Sequence, residues 1–254
     1  MSKLTRIALV ACAWAAIAAP PAIAADIPPP PAPIPPVSFA GWYLRGDIGY
    51  SNQRVDSLDN ALYATYDSVD TVNKEFDGAP YAGIGVGYRV NRWFRSDATI
   101  EYRSKSDFDG LDIAVIGPDI VPNNYTAEKS EWVAMLNAYV DLYTWRGITP
   151  FIGAGIGASR NTIHGFTDVG VTVDSVAFGD TESEWNLAWA LYAGLGFEVT
   201  PAFTIELAYR YLDLGDAESG DLIAFDGTNA IDNPMIFEDL TSHDVRLGFR
   251  YLLQ

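Results

Sequence analysis

The chain has 254 residues, 49% hydrophobic and 19% charged, with 33 acidic against 16 basic residues for a net charge of −17. That length holds one all-β domain plus an export segment. The acidic balance excludes a nucleic-acid-binding surface, which needs basic patches, and no run beyond the N-terminal region reaches the ~18 apolar residues of a spanning helix.

The N-terminus reads as a signal peptide over residues 1–24. Lys3 and Arg6 precede the apolar run Ile7 to Ala19, and Ala22-Ile23-Ala24 supplies a small-x-small cleavage pattern, with the cut expected after Ala24. Cys12, the single cysteine, follows Leu9-Val10-Ala11 as in a lipoprotein box, but only five apolar residues precede it. It reads as a small apolar residue inside the signal, which leaves the mature chain without thiol or disulfide chemistry. Residues 25–40 form a proline-rich lead-in with seven prolines between Ile27 and Val37. Such a segment is extended polyproline II, joins neither sheet nor helix, and is expected in the periplasm, where a proline-reading partner could dock.

From Gly41 to residue 254 one pattern repeats: apolar residues alternate with small or polar ones over long segments, as strands with two different faces require. Trp42, Leu44, Ile48 and Tyr50 share one face of the first segment. The second sets Ala82, Ile84, Val86, Tyr88 and Val90 against Tyr81, Gly83, Gly85, Gly87 and Arg89. In the third, Phe94, Ala98, Ile100 and Tyr102 oppose Arg95, Asp97, Glu101 and Arg103, and in the fourth Trp132, Leu136, Val140 and Leu142 oppose Glu131, Asn137 and Asp141. Four further segments follow, carrying Ile152 and Ile156; Trp185, Leu187, Trp189 and Leu191; Ile205, Leu207 and Tyr209; and Val245, Leu247, Phe249 and Tyr251. Eight strands of about ten residues are each long enough to cross a bilayer at a tilt, and a soluble sandwich has strands of only about five or six. Trp and Tyr recur near the strand ends, as at a membrane interface. The expected fold is all-β, an eight-stranded antiparallel up-and-down transmembrane barrel.

Short links at Asn91-Arg92, Thr144 to Thr149 and Thr200-Pro201-Ala202 alternate with long ones at about 52–77, 104–130, 160–184 and 213–243. Barrels of this class place short turns in the periplasm and long loops outside. Without Lys3 and Arg6, 14 basic residues face 33 acidic ones, a net of −19; the four long links hold 24 acidic and 5 basic residues, the same −19. The barrel itself is therefore balanced. Alternation turns Arg45, Asp47, Arg89, Arg95, Asp97, Glu101, Arg103, Glu131, Asp141, Glu206, Arg210, Arg246 and Arg250 inward. An eight-stranded barrel is just wide enough for side chains to fill, and buried charges need partners, so a salt-bridged and mostly plugged lumen is expected, with the inner glycines leaving room for opposed Tyr and Arg side chains. Asp107, Asp109 and Asp112 loosely suggest a calcium loop, but Pro118 stands where its last carboxylate belongs.

The stretch from Gly41 through Trp42-Tyr43-Leu44-Arg45-Gly46-Asp47 to Tyr50, the Pro150-Phe151-Ile152-Gly153-Ala154-Gly155-Ile156-Gly157 run and the ending Val245-Arg246-Leu247-Gly248-Phe249-Arg250-Tyr251 resemble the OmpA/Opa-like eight-stranded outer-membrane barrels, and most closely the alphaproteobacterial outer-membrane "porin family" proteins. The resemblance implies a range of roles: structural surface protein, adhesin, haem binder or small porin. The sequence departs from it at the end, where Leu253-Gln254 replaces the usual terminal aromatic. Deletion of Gln254 is expected to leave assembly intact.

The leading expectation is a structural surface barrel of the Gram-negative outer membrane with acidic extracellular loops. The alternatives are a small porin for passive diffusion and a surface haem or ligand binder. The two histidines, His164 and His243, fall near the outer rim; Ser242 and Asp244 flank His243, but neighbours on a strand face opposite ways and make no triad. No enzymatic activity, catalytic residue, metal ligand or cofactor is expected. The expected partners are outer-membrane lipid and lipopolysaccharide, the barrel assembly machinery, and divalent cations at the acidic loops; the barrel is expected to be monomeric.

Overall fold

The computed structural model describes residues 40–229 and 231–253. The expected signal peptide, nearly all of the proline-rich lead-in, and Gln254 lie outside the described residues. Within them the chain runs through β1 (Gly41–Arg54), β2 (Ser57–Asp59), a 3-10 turn (Tyr63–Thr65), β3 (Ser68–Phe76), β4 (Ala79–Arg89), β5 (Phe94–Ile116), β6 (Asp119–Asp141), β7 (Ile148–Gly170), β8 (Val176–Gly179), β9 (Glu182–Thr200), β10 (Phe203–Glu218), β11 (Leu222–Ala224) and β12 (Ile236–Leu252).

Eight of these strands close a ring. β1 pairs with β4, β4 with β5, β5 with β6, β6 with β7, β7 with β9, β9 with β10 and β10 with β12, and β12 returns to β1, every pair antiparallel. A closed ring leaves no open edge, and so every barrel strand satisfies its backbone groups internally, as a lipid environment demands. Gly41, Leu252 and the short turns after β4, β6 and β9 share one end, which is the periplasmic end by the usual arrangement of such barrels.

The long links are largely strand rather than loop. Residues 104–116 and 119–130 continue β5 and β6 as a paired hairpin whose tip is Gly117-Pro118. Gly117 has φ of +60°, the conformation that the first central residue of a two-residue hairpin turn needs and that glycine adopts without strain. β3 pairs with this extension, β8 and β11 add to β7 beyond it, and β2 adds to the outer end of β12. At 23 residues each, β5, β6 and β7 run well past the roughly ten residues that cross a bilayer.

The two parts of these long strands have opposite polarity. Below Arg103 the outward residues are apolar: Ile84, Ile100, Leu136, Ile156 and Leu187 form a band, with Leu187 69% exposed. Trp42 and Tyr88 flank it below, and the Tyr102–Trp132 pair and the exposed Trp185 flank it above, the two girdles of a membrane-spanning barrel. A bulge lies between Arg103 and Ser106. Beyond it Lys105, Asp107 and Asp109 face out while Phe108 and Ala114 are buried. A strand that leaves lipid for water must exchange its faces in this way, because apolar side chains then need the interior. The apolar outward face stops at this exchange, although the strand continues.

Candidate functional site

The barrel interior is stacked in layers. Within the membrane band it is charged. Arg103 reaches Glu131 at 2.8 Å, Asp244 at 2.9 Å and Glu101 at 3.3 Å. Arg210 joins the same group through Glu101 at 2.7 Å and Asp244 at 2.6 Å. Nearer the periplasm, Arg45 meets Asp97 at 2.5 Å and Asp47 at 2.8 Å; Arg95 meets Asp141 at 3.0 Å and Glu206 at 3.2 Å; Arg250 reaches Glu206 at 3.2 Å; and Arg246 stands 3.6 Å from Asp47. Tyrosines are threaded between the ions. Tyr43 donates to Asp97 at 2.9 Å, Arg45 donates to the Tyr139 hydroxyl at 3.0 Å, and the Arg95 guanidinium lies 4.1 Å over the Tyr139 ring. At Gly87 an added Cβ would overlap the Tyr43 ring, so a glycine there gives the tyrosine its place.

Of the inward charges read from the sequence, Arg89 stands apart. It is half-buried at the periplasmic mouth, its Nε has no hydrogen-bond partner, and with Arg250 and Glu198 it lines a cavity of about 140 Å³. Three fully buried charges were absent from that set, Lys129, Asp244 and, further out, Asp112. Lys129, assigned to a loop, is paired with Glu131 and donates to Gln53 at 2.5 Å. Asp244 lay on the inward face by alternation alone and is a shared partner of Arg103 and Arg210.

Above the ions the interior turns apolar. Phe108 packs against Phe76 at 4.8 Å and Phe237 at 4.9 Å between ring centroids, and Phe166 packs against Tyr125 at 5.5 Å. Ile163, Leu212, Leu214 and Leu240 complete this layer, all shielded from solvent. Lys129 sits at its floor, its ammonium 5.2 Å from the Phe76 ring.

A cavity of about 220 Å³ opens at the outer end of this apolar layer, walled by Tyr63, Tyr66, Tyr125 and Asp168. Asp112 lies behind three of the wall residues, Tyr63, Asn123 and Tyr125, and is fully buried. It accepts hydrogen bonds from Tyr63 at 2.9 Å, from Asn123 at 3.0 Å and from Tyr125. Asp47, Asp97, Glu101, Glu131, Asp141, Glu206 and Asp244 each meet a basic side chain; among the described residues Asp112 is the buried acid that does not. Burial, reinforced by the charge of Asp112, pushes the Asp168 carboxyl up to about 7. Burial likewise raises Tyr63 and Tyr125 well above the ordinary phenol range. Asp107 and Asp109 face away from Asp112 on the outer side of β5, so the three aspartates do not converge on a calcium ion.

The histidines are held separately. Ser130 Oγ and His164 Nε2 lie 2.9 Å apart, and the Tyr209 hydroxyl and His243 Nδ1 lie 2.6 Å apart on the outer wall. β7 and β12, which carry them, are separated around the ring by β9 and β10. Ser242 and Asp244 both point inward and bond each other at 2.5 Å, away from the His243 ring. No cluster of three or more metal-ligating side chains occurs among the described residues.

The sequence matches the outer membrane protein beta-barrel domain family over residues 8–251. The chain belongs to that family. An uncharacterized protein of Brucella suis biovar 1 is 31% identical over 253 residues, covering 86% of this chain and 87% of its own length. A Rickettsia rickettsii protein named a putative adhesin is 27% identical over 225 residues, covering 85% of this chain and 91% of its own. Among solved structures, Neisserial surface protein A matches with a TM-score of 0.50 and 14% identity over 85% of this chain and 100% of that one, a likeness of fold. The closed ring and the family together make this an outer-membrane β-barrel.

Proposed function

We propose that this barrel is a structural surface protein whose lumen does not conduct, exported by a signal peptide cut after Ala24 and set as a monomer in the outer membrane by the barrel assembly machinery. The observation that carries the reading is the phenylalanine layer of Phe76, Phe108 and Phe237 lying across the interior above the ion pairs. An ion leaving the charged section outward would have to shed its water against packed rings, a step that costs far more than it returns. The family relatives called putative adhesins favour a role at the cell surface, and the acidic outer extension suits divalent cations that bridge it to lipopolysaccharide.

The test is single-channel recording of refolded mature protein in a planar bilayer. No steady conductance is expected, in the wild type or after Arg103→Ala, because the apolar layer stays in place. Stable openings in the wild type would overturn the reading and make the protein a small porin.

A further inference from the structure

We propose that the outer cavity is a binding site for a small organic ammonium ion, held between the tyrosine rings and the Asp168 carboxylate, with the Asp112 charge behind Tyr63 and Tyr125. The site goes beyond the structural role, because it lies above the apolar layer and does not depend on whether the lumen conducts.

Three independent observations lead there. The first is the space. About 220 Å³ is left empty at the outer end of the interior; it far exceeds one water and falls just below the usual range of drug-sized pockets. The second is the walls. Tyr63 and Tyr66 stand with ring centroids 6.4 Å apart and tilted by 43°, and Tyr125 faces the same space from β6. Aromatic faces carry negative potential and recognise quaternary and alkylated ammonium groups. The third is the charge. Asp112 is buried without a basic partner, and Asp168 Oδ1 is shielded from solvent with no hydrogen-bond donor. The walls carry no Lys or Arg. Buried carboxylates without a counter-ion are costly, and elsewhere in this interior the cost is met by arginine.

The chemistry of the walls separates an ammonium ion from other occupants. An anion would meet the Asp168 carboxylate, with the Asp112 charge just behind the tyrosines. A neutral apolar molecule would leave Asp168 unpaired. A hard divalent cation prefers six or more oxygens, and Asp112 already spends its oxygens on three donors. An organic cation needs only one free carboxylate and apolar rings, which is what the cavity offers. Thr228, Asn229 and Ile231 form its exposed outer side, so entry is from the medium. The fastening of this side is polar: Asn60 donates to the Asn233 carbonyl at 2.8 Å, and Asp221 accepts from the Asn233 backbone at 2.9 Å.

The experiment is calorimetric titration of refolded full-length mature barrel in detergent with choline, using 3,3-dimethylbutanol as its uncharged isostere and calcium chloride as the inorganic control. Saturable choline binding is expected, with no saturation by the alcohol. Asp168→Asn, nearly isosteric, should weaken choline binding at least roughly tenfold. Tyr66→Leu, on a half-buried loop ring that the barrel does not need, should weaken it by a similar factor, and Asp107→Asn on the outer wall should leave it unchanged. Folding of each variant is checked by its heat-modifiable gel mobility. Absence of choline saturation, equal binding of the alcohol, saturation by calcium alone, or undiminished binding by folded Asp168→Asn would each overturn the proposal.

Discussion

The barrel inside the membrane and its extension above are built from the same strands in opposite senses. Where lipid surrounds β5 and β6, Ile100 and Leu136 face out and Arg103, Glu101 and Glu131 are enclosed. A few residues further along, Lys105 and Asp107 face out and Phe108 is enclosed. The membrane removes the hydrophobic drive to bury apolar groups, since the tails outside are equally apolar, and polar side chains take the centre. Above it, water restores the drive and a phenylalanine core forms. The lower core is therefore held by directional pairs that fail singly, and the upper core by packed volume that erodes gradually.

The largest effect should come from breaking the lower core. Arg103→Ala leaves Glu101, Glu131 and Asp244 around an empty place, and removing one member of a buried ion group costs about 3–5 kcal/mol. Urea unfolding of the refolded barrel should move by an amount near the top of that range. A loss under about 1 kcal/mol would mean that water replaces the guanidinium, and the contrast between the two cores would collapse.

Phe108→Ala tests the upper core. Removing a buried phenylalanine typically costs about 3–5 kcal/mol, with the lower values where the site can relax. Because the neighbouring Phe76 and Phe237 stand at the ends of β3 and β12, outside the lipid-facing section and able to close in on the gap, a value near about 3 kcal/mol is expected from the same unfolding series. A loss greater than that of Arg103→Ala would reverse the order proposed for the two regions.

A pH series sharpens the comparison at the outer cavity. Burial pushes the Asp168 carboxyl up to about 7, above its unfolded value near 4. The folded protein then holds a proton there that the unfolded chain has lost, so this group's contribution to stability is complete below about pH 4 and is lost as pH rises through about 7. The charges that face it are Asp112 from β5 and the phenols of Tyr63, Tyr66 and Tyr125, with Asp221 behind the outer wall. In the absence of added cation, thermal unfolding should show a decline between pH 4 and 7 that is smaller in Asp168→Asn. Identical slopes for the two proteins would remove Asp168 from the account.

The membrane part of this architecture was legible in the residues. Alternation over Trp132, Leu136 and Val140, repeated in eight segments, describes a strand with lipid on one face, and the positions so read are exposed on the outer wall. The extension was illegible for a physical reason: the apolar outward face ends where polarity exchanges at the bulge after Arg103, so residues 104–130 read as a loop and Lys129 with them. Ion-pair partners are hidden differently. Arg103 and Asp244 are 141 positions apart, and no local pattern joins residues that only ring closure brings together. The outer cavity is hidden twice over, since Tyr63, Asp112, Tyr125 and Asp168 come from four separate elements of that same unrecognised extension.

The smallest effect belongs to an ion pair of the outer wall. Lys105 reaches Glu128 at 2.5 Å, as short as the Arg45–Asp97 pair inside the lumen, yet about half of each side chain remains in contact with water. Distance alone would rank the two pairs equal. Solvent decides otherwise: an exposed pair gains little over its hydrated partners, gives up side-chain entropy and is screened by salt, so its contribution to stability is small. Lys105→Ala should move the urea midpoint by less than the scatter between replicate titrations, and raising the salt concentration should shrink even that. A loss approaching that of Arg103→Ala would show that the outer wall is shielded from water like the lumen, and the opposition of the two regions would have to be redrawn with the bilayer reaching higher up β5.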